Sequence, residues 1–493
     1  MVTNQNTDDE RRPERWASDN SRKIIYRAVA IGTLILKTPA HFGSGESVTE
    51  KLQNGEKANV LELYKDPHDN CALLPGASLA GALRHYLVQR TQGYRKTDTQ
   101  TSHAKILFGE ALDLNRGEQS RLIIHDAYSQ QKAYDKRDGV KIDGKHRTAD
   151  VKDGALFQIE TWNKDTEFPL HLELVLYEGD DVNMLKRVFA VLLKALADGN
   201  IPMGARKNRG YGRCDVTNWL VYEYDLTRVD HFLAWVNNKL SSPATDFMTL
   251  ANSYTTDNRQ RVTLEATFRL CDSLMIRQYP PESKEPDDKK EPIRHLTNLA
   301  GEHLLTGTSI AGALRARAVK IANTIGGCTS LTPDIVDAIF GAHGTSDEDK
   351  SVKPKSHASR LIVEETTIQD GDMSLIQTRV KIDRFTGGAY HSALINEQPV
   401  FAKPATIITI NLELRAPEDA HIGLLLLLLK DLWTEDLPLG GESSIGRGRL
   451  QGVSASMTIT GKSDSIQFNQ HGLLNANQKD DLQGYINKLW GKS

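Results

Sequence analysis

The chain repeats itself at long range. GASLAGALR at residues 76–84 returns as GTSIAGALR at 307–315, identical at seven of nine positions. Four more pairs follow in the same order: LFG at 107–109 with IFG at 339–341, RLII at 121–124 with RLIV at 360–363, VKID at 140–143 with VKID at 380–383, and a glycine-rich run at 204–213 with another at 440–449. The offset of about 230–240 residues is far above the 20–50 of solenoid repeats, so a whole domain has been duplicated. Any core that one half builds, the other must build again.

The halves are expected at 23–222 and 260–459. A polar tail precedes them at 1–22, a linker with a short helix joins them at 223–259, and a second tail follows at 460–493. Each half reads in the same order: an opening strand (26–36; 262–270), a glycine-punctuated helix, a strand pair with a polar insertion, a strand (171–177; 407–414), a long apolar helix (182–196; 420–432) and a glycine-rich loop. That order predicts an α+β chain of two ferredoxin-like units, the plan of RNA-recognition domains. In the linker, Phe232, Leu233, Val236 and Leu240 share helical spacing and predict an amphipathic helix packed through that face.

The net charge is −3, so any nucleic-acid site must be a local basic patch. Cys71, Cys214, Cys271 and Cys328 are far apart and form no CxxC pair, which argues against zinc and for reduced thiols in a cytoplasmic protein. Residues 1–22 lack the apolar core of a signal peptide, and the leucine run at 424–429 is too short to span a bilayer. No membrane partner is expected.

Three recurring elements carry candidate chemistry. In the first, a helix begins just after Pro75-Gly76, where Ser78 can cap it or meet a phosphate and Arg84 lies a turn and a half further on. The second copy keeps Ser309 and Arg315. A capped helix with a packing glycine and a surface arginine is the plainer reading. In the second element, loop glycines free backbone N–H groups beside Arg206, Lys207, Arg209 and Arg213, and again beside Arg447 and Arg449. The third is the insertion KIDGKHRTADVK at 141–152 and its counterpart KIDRFTGGAYHSALINEQ at 381–398. Each predicts a protruding hairpin. Lys141, Lys145 and Arg147, or Lys381 and Arg384 with Phe385, suit an RNA strand, and Phe385 offers a stacking face. Solvated surface hairpins and turns remain the alternative for both.

Together these motifs resemble the RAMP superfamily of CRISPR-associated proteins, and more narrowly the backbone subunits of type III effector complexes, here as a tandem fusion of two units. The resemblance covers Pro-Gly-x-Ser-x-x-Gly-x-x-Arg, Lys-Ile-Asp-Arg-x-Thr-Gly-Gly-Ala and the terminal glycine loop. It implies RNA-recognition cores with thumb hairpins, stacked along a CRISPR guide RNA with other effector-complex subunits. It also implies cleavage of complementary target RNA by a loop aspartate with Mg2+ or another divalent metal. Counting back from Gly307 places that aspartate at Asp288, the candidate metal ligand, with Asp287 beside it, in ESKEPDDKKEP at 282–292. A solvated acidic linker is the competing reading. The first half resembles the family in PAHFGSGE at 39–46, but its loop carries Glu46, Glu50 and Glu56 and no aspartate at that place. A non-catalytic scaffold, or a guide-precursor ribonuclease using His41 or His85, stays open.

Overall fold

A computed structural model describes residues 23–51, 57–98, 102–113, 116–142, 156–239, 243–278, 291–326, 334–342 and 356–490. The first unit comprises β1 (Ile24–Leu36), β2 (Gly43–Lys51), β3 (Lys57–Leu63), α1 (Gly76–Gln92), β4 (Leu122–Ile124), β5 (Tyr134–Val140), β6 (Leu156–Trp162), β7 (Glu167–Tyr177), α2 (Val182–Ala197) and β8 (Cys214–Asp225). After it comes α3 (Val229–Val236). The second unit comprises β9 (Arg261–Leu270), β10 (Arg277–Gln278), β11 (Ile293–His295), α4 (Gly307–Gly326), β12 (Leu361–Val363), β13 (Gln377–Ile382), β14 (Ala389–Gln398), β15 (Ile407–Arg415), α5 (Asp419–Trp433) and β16 (Leu450–Ile459), and α6 (Lys479–Leu489) follows.

Alternation along β1 sends Ala28, Ala30, Leu34 and Leu36 to one face, where Leu170, Leu172, Leu174 and Leu176 of β7 join them. Helix α2 closes this core with Leu185, Val188, Phe189 and Leu192. Its first turn is capped by Asp181, which accepts from Met184 N. The first sheet runs β8-β1-β7-β4, all antiparallel. The second runs β16-β9-β15 with β12 on the far side of β15, and extends further through shorter strands. Counted within each unit, the order is fourth-first-third-second, the ferredoxin-like arrangement expected from the sequence.

The leucine run at 424–429 lies in α5. It is apolar almost all round because α6 covers the side turned away from the sheet: Gly423 sits so close to Tyr485 that a Cβ would lie 2.4 Å from its carbonyl oxygen. No helix among the described residues is long and apolar enough to cross a membrane. The linker helix differs from expectation. Helix α3 does pack on the first sheet, but through Ala234 and Trp235 against Val29, Tyr222 and Tyr224. Phe232, Leu233 and Val236 point outward, and Leu240 lies outside the described residues. The cause is Trp235, whose ring lies against Tyr224 and under the Arg27 guanidinium and outweighs the aliphatic stripe.

Each unit also carries a small second sheet, β2-β3-β6-β5 and β10-β11-β14-β13. In both, one strand pair flanks the loop after the opening strand and the other forms a thumb hairpin. Loop and thumb therefore leave from one platform, twice.

Candidate nucleic-acid interface

The glycine loops are built by backbone packing. Residues 204–213 fold back on the end of β1, with Ala205 N donating to His41 O and Gly212 N to Pro39 O. At Gly212 a Cβ would fall 1.8 Å from Met203 O, and at its counterpart Gly448 1.8 Å from Leu439 O, so only glycine fits either place. The PAHFGSG segment and the glycine loop are thus two sides of one structure. His41 is part of it, buried, with its Nδ1 2.7 Å from Glu160 O.

The outward side of the first loop meets the second unit. Asn208 Nδ2 donates to Ser359 O (2.9 Å), Arg209 Nη1 donates to Leu361 O (3.3 Å), and Arg213 pairs with Glu364 at 2.7 Å. Arg137, from thumb strand β5, pairs with Glu365, each side chain only 6% exposed. Gly307 lets the chains close, since a Cβ there would lie 2.4 Å from Arg209 O.

Cations gather at this junction. Arg206 lies over the Phe157 ring, and half-buried Lys207 faces Arg415. Burial, then the Arg415 charge, pushes the Lys207 ammonium below its ordinary pKa, and burial with Arg315 and Arg206 does the same to Arg209. His85 on α1 is held down by partial desolvation and by Lys207 and Arg415. Among the described residues no carboxylate pairs with Arg206 or Lys207. Arg415 and Arg315 are paired with Glu413 and Asp337, so the cations left without acids are those of the loop itself, and they suit an anion such as phosphate.

At the helix starts the structure departs from the expected cap. Pro75 is the N-cap of α1, with no side-chain bond, and Ser78 is exposed. The Gly76 N–H is taken by Asp126 Oδ1 at 2.6 Å. In the second unit the Thr306 hydroxyl accepts from Ser309 N and donates to Ser309 Oγ. Arg84 donates to Gly109 O and Arg315 to Gly341 O, so both tie their helix to the glycine of the LFG or IFG motif. Arg315 also bonds Asp337 at 2.7 Å. This shared internal contact gives a physical reason for the repeat of helix motif and LFG motif together.

The thumbs form as expected. Strands β5 and β6 pair from Val140↔Leu156 to Tyr134↔Trp162, and Lys141 is exposed at the end of β5. Lys145 and Arg147 lie outside the described residues. The second thumb turns at 383–388, where the Asp383 carboxylate accepts from Phe385 N and the Thr386 hydroxyl, which explains the Lys-Ile-Asp-Arg-x-Thr-Gly-Gly pattern. Phe385 is 99% exposed at the tip beside exposed Arg384, and Lys381 lies over the Tyr390 ring.

The second glycine loop is chemically different. Arg447 is buried at the thumb base, paired with Glu397 and Glu442 and bonded to Gln377. Arg449 is exposed and donates to Glu435 O. Arg447 is therefore neutralised where the first loop leaves Arg206 and Lys207 without acids. Glu442 stands where the first loop has Arg206, and Ile445 where it has Arg209.

Asp287 and Asp288 lie outside the described residues, as does Glu56. The flanks of their segment are described: Arg277 and Gln278 pair with His295 and Arg294, and β11 pairs with thumb strand β14. Buried His295 pins this base, accepting from Ile276 N and donating to Leu304 O. Adjacent carboxylates offer the hard oxygen donors that Mg2+ takes.

Two ferredoxin-like units in tandem, each with a thumb and a glycine loop, define an RNA-recognition-like scaffold. The chain belongs to the RAMP superfamily, which it matches over residues 33–215 and 270–451, about three quarters of its length. Membership supports a CRISPR-associated role, and RAMP proteins act in RNA-binding effector complexes. No curated protein matches the chain.

Proposed function

We propose that this protein is a backbone subunit of a type III CRISPR RNA-guided complex, which holds guide RNA across the junction of its two units and cleaves complementary target RNA with Mg2+ or a similar ion. The observation that carries the reading is the cluster of Arg206, Lys207 and Arg209, which pair with no carboxylate among the described residues and face Arg315 and Arg415, themselves paired with Asp337 and Glu413, in a chain of net charge −3. Such a cluster favours a polyanion, and the exposed thumb tip with Phe385 supplies a stacking face on the same molecule. Asp288, with Asp287, would hold the metal, which neutralises charge developing on the reacting phosphate.

Two measurements test this. Arg206→Gln with Lys207→Gln should weaken binding to all RNA sequences alike and flatten the salt dependence, by a slope of about 0.7 per lost phosphate contact on single strands. A sequence-selective loss would count against backbone binding. Asp287→Ala with Asp288→Ala, in the assembled complex with matched target RNA and Mg2+, should abolish or shift the fragments. An unchanged pattern would leave a guide-binding scaffold without catalysis in this loop.

A further inference from the structure

The outer face of the first sheet carries a cluster that is not part of the RNA site proposed above. His171 and Glu173 are neighbouring outward positions of β7, and His125 follows β4. Glu173 Oε1 lies 3.6 Å from the Nε2 of His125 and 3.6 Å from the Nε2 of His171. One ligand atom from each residue falls within 4.8 Å of the other two. The second oxygen, Oε2, takes Arg27 Nη1 at 3.2 Å, and Arg27 is itself held over Trp235, so the carboxylate is fixed with Oε1 toward the imidazoles. The Nε2 of His171 is shut off from water and, among the described residues, has no hydrogen-bond partner. A nitrogen buried without a partner beside a second imidazole and an aimed carboxylate is a donor set lacking its acceptor.

We propose that His125, His171 and Glu173 bind a divalent first-row transition ion of the Zn2+ type, leaving a position open for water or a partner's ligand. Tetrahedral Zn2+ at about 2.0–2.1 Å from nitrogen and oxygen needs donors about 3.3–3.4 Å apart, a few tenths below the 3.6 Å from Glu173 Oε1 to each imidazole, while the two imidazole nitrogens lie within 4.8 Å of each other. The two rings stack with centroids 4.5 Å apart and planes at 8°, so one must turn for both lone pairs to converge. His125, the more exposed and at the end of its strand, is the ring that turns. Arg27 acts as the outer partner that orients the carboxylate.

The duplication supplies an independent argument. Strand register sets Glu364, Asn411 and Glu413 of the second unit against His125, His171 and Glu173 of the first. In the second unit that patch receives cations: Arg213 from the other unit on Glu364, and Arg415 and Arg261 on Glu413. In the first unit Glu173 keeps one cation, Arg27 at the place of Arg261, and imidazoles replace Glu364 and Asn411, so nitrogen donors stand where the second unit has an ion-paired acid and an amide.

The test is equilibrium dialysis of the full chain against Zn2+, repeated with Co2+ for its visible absorption. Wild type should hold one equivalent more than His125→Ala/His171→Ala, and Glu173→Gln should weaken binding tenfold or more. Co2+ should show a nitrogen and oxygen spectrum without thiolate charge transfer. Cys71→Ser controls for the other candidate group, Asp66, Asp69 and Cys71. Metal-free melting curves matching wild type show that the variants fold. Equal metal content in wild type and the double histidine variant, or binding lost only with Cys71→Ser, overturns the proposal.

Discussion

Gly81 and Gly312 divide the readings of the helix motif. A packing role requires a neighbour, yet nothing lies within 4 Å of a Cβ built at either glycine, and both are exposed. The close approach happens instead at Gly76 and Gly307, where strand carbonyls lie 2.3 and 2.5 Å from the added carbon. Gly81→Ala and Gly312→Ala should therefore each stabilise the isolated chain by about 1 kcal/mol in urea unfolding, the ordinary gain of alanine over glycine inside a helix. If RNA or a subunit meets the backbone there, the same variants lose affinity while gaining stability, and the opposite signs identify a contact surface. The arginines are resolved by contact geometry. Arg315 bonds both Gly341 O and Asp337 at 2.7 Å, whereas Arg84 reaches Gly109 O at 3.2 Å and Asp98 only at 3.8 Å. Arg315→Ala should cost about 1–2 kcal/mol, and Arg84→Ala less, in the same unfolding assay.

At the scale of elements, periodicity was legible in the sequence and orientation was not. The opening strands expected at 26–36 and 262–270 are found at Ile24–Leu36 and Arg261–Leu270, and the long helices at Val182–Ala197 and Asp419–Trp433, because apolar period and caps are local properties. Helix α3 turned its aliphatic stripe outward because one tryptophan found a partner on a distant strand, which spacing does not encode. The base of the acidic segment depends on another non-local fact, the burial of His295. Burial pushes its pKa from the ordinary 6.5 down to about 4. A neutral imidazole thus contributes fully above pH 6.5, and that contribution is lost as pH falls from 6.5 through about 4, at about 1.4 kcal/mol per unit and roughly 3 kcal/mol in all. Urea unfolding at pH 7 and pH 4.5 should show this loss, and His295→Gln, starting from lower stability, should flatten that part of the profile. The thumb tip behaves oppositely. Phe385 touches solvent almost everywhere, so Phe385→Ala should leave the melting temperature unchanged and weaken RNA binding by about 1–3 kcal/mol, the worth of one stacked base.

At the scale of the molecule, duplication announced two cores but not how they join. Arg213 and Gly307 at the junction recur as Arg449 and Gly76, but their partners do not: Glu364 and Glu365 stand where the first half has His125 and Asp126, and Arg209 where the second has Ile445. Comparing the copies for differences, and not only for identities, would have pointed to it. Its centre is the pair Arg137–Glu365, nearly removed from water. Breaking one partner of such a pair costs about 3–5 kcal/mol because the other charge is stranded, whereas replacing both by apolar groups can be close to neutral. Glu365→Leu should therefore split the calorimetric unfolding into two transitions, as each unit keeps its own core but loses its neighbour. Arg137→Leu/Glu365→Leu should restore much of the coupling. Lys207 and Arg206 lie on the loop that packs against Glu365 through Gly210, so the single variant should also loosen the proposed guide binding and the double variant recover it. A Glu365→Leu protein that melts in one transition at the wild-type temperature would mean that the cores, and not this pair, hold the two units in register for RNA.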